Sequence, residues 1–196
     1  MKSFKSFVRI FACTLILVFG TSISNAQNVH FLVSFSPIIP VSFMQDAGIG
    51  LISGNIGFSV DITKKLSWVS TVGYNKFRTK TTTIYGTDDE YESSLGFIPI
   101  TTGIQYFFTN EGTRFYVVLK AGYYLPSGDF VKGDLGFTPG VGVQFPLKTE
   151  KIKFDISLGY NGVLGAKTKE FTTGSSSQVS TYYYLSYLAL NFGFAF

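Results

Sequence analysis

Charge is scarce in this chain. Only 14% of its 196 residues are Asp, Glu, Lys or Arg, against about a quarter in ordinary water-soluble domains. A surface meant for water needs more. There is one cysteine, which excludes a disulfide scaffold. The single histidine leaves little for nucleophilic catalysis, which sets a base beside a nucleophile and a third group behind the base. No apolar run approaches the roughly 18 residues of a membrane-crossing helix. Good helix formers give way to glycine (21 residues), threonine and aromatics (17%), which speaks against a helical bundle. The same aromatic content excludes disorder. The length allows one domain, two at most.

What is present begins with an address. Lys2, Lys5 and Arg9 precede an apolar stretch from Ile10 to Gly20, and Ser24-Asn25-Ala26 sets small residues before a cut at Gln27. Residues 1–26 therefore read as a cleaved secretory signal peptide and 27–196 as the mature domain. The apolar run is too short for a membrane anchor, which needs about 20 residues. Cys13 stands at the start of that run, where a lipidated cysteine would follow it. Cleavage removes three basic residues and no acidic ones. The formal charge falls from +4 to +1, thirteen Lys and Arg against twelve Asp and Glu, so a nucleic-acid partner is not expected.

The rest of the chain alternates with a period of two. At the C-terminus Leu188, Leu190, Phe192, Phe194 and Phe196 oppose Ala189, Asn191, Gly193 and Ala195. Ile152 to Tyr160, Leu135 to Phe145 and Phe115 to Tyr123 repeat the pattern. Ile98 to Phe108, Leu66 to Tyr74, Ile52 to Val60 and Val29 to Phe35 do so with more noise. Alternation of this kind fixes strands with two unlike faces. It predicts about eight strands of roughly ten residues, the length a tilted membrane strand needs. Short polar turns at 63–65, 110–113 and 148–150 interleave with longer links at 37–48, 79–93, 126–133 and 165–181. That order suits an all-β, antiparallel up-and-down barrel with both termini on the short-turn side.

The composition of the faces decides their direction. A soluble barrel or sandwich would bury the large apolar row and show water many Lys and Glu. The small row holds Gly, Ser, Thr and Asn instead, which fits the narrow interior of eight strands. The Ile/Phe/Leu row fits lipid, and closure removes the unpaired edges that lipid does not tolerate. The expected fold is an eight-stranded transmembrane β-barrel.

The chain resembles the small Gram-negative outer-membrane β-barrel proteins of the outer membrane protein X and W type, the porin-like barrels of the cell envelope. The likeness rests on Phe97-Ile98-Pro99-Ile100, Gly103-Ile104-Gln105-Tyr106-Phe107-Phe108 and the terminal row ending in Phe196. It implies an outer-membrane location, Sec export, termini in the periplasm and membrane lipid as surroundings. It also implies that Phe192, Phe194 and Phe196 are the signal read by the barrel-assembly machinery. The W-type relatives suggest a narrow channel for small apolar or ionic solutes.

Chemistry is sparse. His30 opens the first strand on the small face and reads as a rim residue. No cofactor, metal or catalytic residue is expected. Asp61, Arg114, Lys120, Asp134, Lys153 and Asp155 all fall on the small face, where a narrow interior forces charges to pair. Asp61, Lys120 and Asp155 are predicted to form a polar plug; an ion path lined by the same residues is the rival. Lys76, Arg78 and Lys80 continue the lipid-facing row of the third strand to the outer rim, where lipopolysaccharide phosphates would meet them; a solvated strand end that merely avoids lipid is the alternative. The acidic run Asp88, Asp89, Glu90 and Glu92 reads as a solvated loop. The first long link is apolar, with Ile38, Ile39, Val41, Phe43 and Met44, and could cap the mouth, extend a strand or dip into the leaflet. The expected function is that of a non-enzymatic, monomeric outer-membrane barrel with a structural or surface-interaction role and a largely plugged lumen, the alternative being the narrow channel.

Overall fold

The computed structural model describes residues 28–41, 50–78, 82–83, 90–91, 94–128, 130–147, 152–168 and 182–196. Residues 1–27, and with them the expected signal peptide, lie outside the described residues. Eight long strands dominate: β1 Val29–Val41, β2 Gly50–Asp61, β3 Leu66–Arg78, β4 Ser94–Phe107, β5 Arg114–Gly128, β6 Asp134–Pro146, β7 Lys153–Thr168 and β8 Tyr182–Ala195. Each pairs antiparallel with the next, and β8 also pairs with β1. The sheet is thus a closed up-and-down barrel without a free edge. Among the described residues no helix is long and apolar enough to cross a membrane.

The closing seam brings the start of β1 and the end of β8 together. Phe31 N–H donates to the carbonyl of Phe196 at 3.1 Å, and Phe196 N–H returns to Phe31 at 2.9 Å. Phe35 stacks on Phe192 with centroids 5.6 Å apart. At the same rim, Thr63 accepts the N–H groups of Lys65 and Leu66 on its hydroxyl, which folds the β2–β3 turn.

The large apolar row faces out, as the alternation predicts. Phe31, Ile56, Ile104, Leu119, Leu135 and Leu158 are all exposed. Ser53, Ser59, Ser67, Asn75, Thr101, Gln105 and Thr138 are buried inside. A water-soluble barrel would show the reverse. An outer wall of this kind is stable only against lipid.

The strands are longer than the predicted ten residues, at 12 to 16. β1 runs through Pro37 and Pro40, and β5 through Pro126. The ladder of β1 with β2 shifts register between Ser36 and Ile38, a place where a strand tolerates a proline. The apolar start of the first link therefore extends a strand. Ile38 points inward and is buried, whereas Ile39 points outward and is exposed. Val41 ends β1, and Phe43 and Met44 lie outside the described residues. Two short additions complete the set. Thr82–Thr83 pairs with Glu90–Tyr91, and Phe130–Lys132 pairs with the end of β7. Of the acidic run, Glu90 lies in that short pair; Asp88, Asp89 and Glu92 lie outside the described residues.

Two glycines make the interior fit. Gly142 lies directly across the ladder from Tyr116, and a Cβ there would come within 2.4 Å of the Tyr116 ring. A Cβ on Gly136 would meet the Tyr124 ring at 2.5 Å. Tyr116 and Tyr124 thus each lie over a glycine, the pairing by which aromatics cover glycine in designed sheets.

Candidate functional site

The lumen is built in three levels. Lowest, at the rim that holds the start of β1 and the end of β8, His30 Nε2 lies 3.4 Å from an Asp61 carboxylate oxygen. Lys153 Nζ lies 3.5 Å from the same imidazole nitrogen, and Ser67 donates its hydroxyl to Asp61. Nearby, Arg114 donates to Gln144 Oε1 at 2.9 Å and stacks over the Phe107 ring, 3.9 Å from its centroid. The order of groups speaks against acyl chemistry. A serine nucleophile needs the imidazole at its hydroxyl; here the Asp61 carboxylate stands between Ser67 and His30. Among the described residues, no three His, Cys, Asp or Glu gather to hold a metal ion.

The middle level is polar and partly hollow. A cavity of about 90 Å³ is lined by Thr71, Tyr116, Lys120, Gln144, Asp155 and Ser157, among others. Tyr116 donates its hydroxyl to Asp155, 2.9 Å from one oxygen and 3.0 Å from the other. Lys120 donates to Thr71 at 3.4 Å, and Thr71 bonds Thr101 at 2.8 Å. A second cavity of about 30 Å³ continues upward past Lys120 to Asn75, Asn161 and Tyr187. A water needs roughly 10–15 Å³ of such space, so the two hold a handful of waters rather than a column of bulk solution.

The outer level is apolar. Phe77, Phe97, Tyr124 and Tyr187, joined by Ile38, Val163 and Leu185, form one buried cluster inside the barrel. Phe77 meets Tyr187 edge-on at 5.3 Å, and Phe97 meets Tyr124 edge-on at 6.3 Å. The tyrosine rings complete this layer while their hydroxyls reach the polar level. Tyr124 bonds Thr138 at 2.8 Å and Asn161 at 3.1 Å, and Asn75 donates to the Tyr187 hydroxyl. Every buried polar side-chain atom among the described residues has a partner.

The structure places the sequence-predicted residues at different levels. Lys120 and Asp155 line one cavity. Asp61 sits below them at the rim, tied to His30 and Ser67 rather than to either. Arg114 and Lys153 belong to the lower level, and Asp134 starts β6 near the outer end. Lys76 is exposed on the outward row of β3, one residue before the inward Phe77. Arg78 ends that strand, and Lys80 lies outside the described residues. Phe194 and Phe196 face outward at the closing seam, with Phe192 half-exposed. The aromatic layer was not anticipated as a unit. Its signal was four large rings, at 77, 97, 124 and 187, on rows whose other members are mostly small.

The comparisons with known proteins fall on this architecture. Residues 71–187 match the family model described as "Putative MetA-pathway of phenol degradation". That stretch covers β4 to β7 whole, with most of β3 and the start of β8, more than half of the chain. The chain belongs to this family. No curated protein matches the sequence. Among solved structures it is similar to the Neisserial surface protein NspA, with 14% identity over 87% of this chain and 98% of that one and a TM-score of 0.61. OprG from Pseudomonas aeruginosa shows 13% identity over 87% and 97%, with a TM-score of 0.56. The outer membrane protein AlkL, solved in lipid bilayers, shows 15% over 88% and 92%, with a TM-score of 0.53. At these identities the likeness is one of fold, and the fold is that of outer-membrane barrels.

Proposed function

We propose that the protein is a non-enzymatic, monomeric barrel of the outer membrane that acts through its outer face, its lumen closed to free passage. The observation that carries this reading is the buried layer of Phe77, Phe97, Tyr124 and Tyr187 across the outer end of the lumen. The outward apolar wall supports the membrane setting. In this reading residues 1–26 direct Sec export and are cleaved, 27–196 fold as the barrel, and the seam holding Phe31 and Phe196 lies on the periplasmic side. Phe192, Phe194 and Phe196 then present the row that the assembly machinery reads, and Asp61, Lys120 and Asp155 belong to the polar filling beneath the aromatic layer.

The ladder Lys76, Arg78 and Lys80 is the proposed contact with lipopolysaccharide. A strand climbs about 3.3 Å per residue, or roughly 2.3 Å along the membrane normal at 45° tilt. Ten steps from Leu66 bring Lys76 to about 23 Å, near the top of an apolar band about 25 Å tall. Cations there meet phosphate rather than hydrocarbon. Replacing all three with Gln is expected to lower co-purified lipopolysaccharide several-fold while the barrel stays folded; unchanged lipopolysaccharide would remove the contact from the account.

A second reading, passage of small apolar solutes, is favoured by the phenol-degradation description of the family and by the aromatic character of the outer layer. It requires the ring pairs to part. Entry of a small aromatic alcohol into proteoliposomes of the unaltered barrel faster than into protein-free vesicles would favour it over the surface role.

A further inference from the structure

One ring nitrogen at the lower rim stands between an acceptor and a donor. His30 Nε2 lies 3.4 Å from the Asp61 carboxylate of β2 and 3.5 Å from the Lys153 ammonium of β7. It cannot serve both at once. A ring nitrogen either carries a proton and donates, or presents its lone pair and accepts. A carboxylate only accepts, and an ammonium only donates. The proton on Nε2 therefore decides whether Lys153 can be held. The two contacts also tie different parts of the barrel. Asp61 is on the strand next to β1, and its N–H already bonds the carbonyl of Asn28 at 3.1 Å. Lys153 is two strands away, across the closing seam. Between it and β1 runs the end of β8, where Ala195 pairs with Lys153 on one side and with Leu32 on the other. The His30–Lys153 contact is thus a clasp over the end of β8, beside the Phe31–Phe196 bonds that close the barrel.

The other groups of this level leave the choice to the ring. Arg114 of β5 is bonded to Gln144 and stacked on Phe107. Ser67 of β3 donates its hydroxyl to Asp61. The end of β8 contributes only the uncharged Ala195, and Asp155, the next inward residue of β7, is held by Tyr116. Lysine, arginine and carboxylate side chains ordinarily keep their charge between about pH 5.5 and 8, whereas an imidazole gains or loses its own there. With Nε2 bare, the ring accepts from Lys153 while Ser67 serves Asp61. As imidazolium it meets a cation and an anion at nearly equal distance, so it turns to Asp61 and repels Lys153.

We propose that His30 is a proton-operated latch on the closing seam: protonation moves it from Lys153 to Asp61 and frees the end of β8 from its clasp. The tie then passes from the β7–β8–β1 seam to the β1–β2 pair. In overall stability the gained ion pair and the lost clasp offset each other, so the effect is local to the last residues of β8. The latch goes beyond the surface role and stands whichever side of the membrane the seam faces.

The test is amide hydrogen exchange of the full barrel, folded in detergent micelles, at about pH 5.5 and pH 8, the interval over which an imidazole changes charge. Each rate is divided by the intrinsic rate of that amide at that pH, which leaves the protection given by structure. The Phe196 N–H, bonded to Phe31 at 2.9 Å, is expected to lose about fivefold in protection at the lower pH, the size of a like-charge contact at such a distance in water-like surroundings. The Asp61 N–H, bonded to Asn28, is the control and should keep its protection or gain. His30→Asn should remove the pH dependence at Phe196. Lys153→Gln should remove it too, because an amide can turn either its oxygen or its N–H to the ring. Equal protection of Phe196 at both pH values in the unaltered barrel would overturn the proposal, and so would a drop that persists in His30→Asn. Should the variants fail to fold, the nitrogen-15 shifts of the His30 ring in the unaltered barrel decide. Nε2 bare at the higher pH and protonated at the lower supports the latch; Nε2 protonated at both overturns it.

Discussion

Leu119→Arg is expected to lower the stability of the folded barrel by about 2–4 kcal/mol, the cost of a cation on the lipid face at the bilayer midplane. Leu119 lies on the outward row of β5 and is 60% exposed. It stands five residues above Arg114, where β5 leaves the lower rim, which is about 12 Å of climb at roughly 2.3 Å per residue. Half the height of the apolar band therefore separates it from either interface, too far for the guanidinium to reach water easily. Ile62 supplies the comparison. It is 48% exposed in the β2–β3 turn, and Ile62→Arg should change stability by less than about 1 kcal/mol, as charges near an interface do. Urea unfolding from phosphatidylcholine vesicles measures both. Equal effects at the two positions would mean that the outward row does not face hydrocarbon.

Gly142→Val should destabilise the barrel by about 1–3 kcal/mol or more, the range for forcing extra volume into a packed interior. The new Cβ would lie 2.4 Å from the Tyr116 ring, 2.5 Å from its hydroxyl and 2.7 Å from the Cβ of Ser157. Tyr116 cannot give way without leaving Asp155, whose carboxylate it holds on both oxygens. The cost thus combines crowding with a charge stripped of its donor. Tyr116→Ser, added to Gly142→Val, should recover part of the loss by vacating the space while keeping a hydroxyl. A valine variant as stable as the parent would show that Tyr116 does not lie over Gly142.

The barrel was legible because lipid and lumen demand opposite residues on alternate positions. Leu188, Leu190, Phe192, Phe194 and Phe196 against Ala189, Asn191, Gly193 and Ala195 carry both the strand and its direction. Strand ends were less legible. Pro37, Pro40 and Pro126 read as breakers, yet a closed sheet pairs each strand on both sides and carries it through them, with a register shift beside Pro37. The site was legible only in composition. Row membership places Lys120, Asp155 and Asp61 inside, and their heights follow from counting up from the turns. Which inward groups touch depends on the stagger around the barrel. That stagger brings His30 of β1 and Lys153 of β7 to Asp61 of β2. It also gathers Phe77, Phe97, Tyr124 and Tyr187 from four strands into one layer, a convergence no single strand reveals.

The central claim is that this layer closes the lumen while polar groups fill it below. Planar-bilayer recording of the purified barrel tests it most directly. The account predicts no steady conductance above the bare membrane for the unaltered protein, and measurable openings once Phe97 and Tyr124 are both reduced to Ala. A steady open conductance on the scale of a general porin, present in the unaltered protein and unchanged in the double variant, would contradict it.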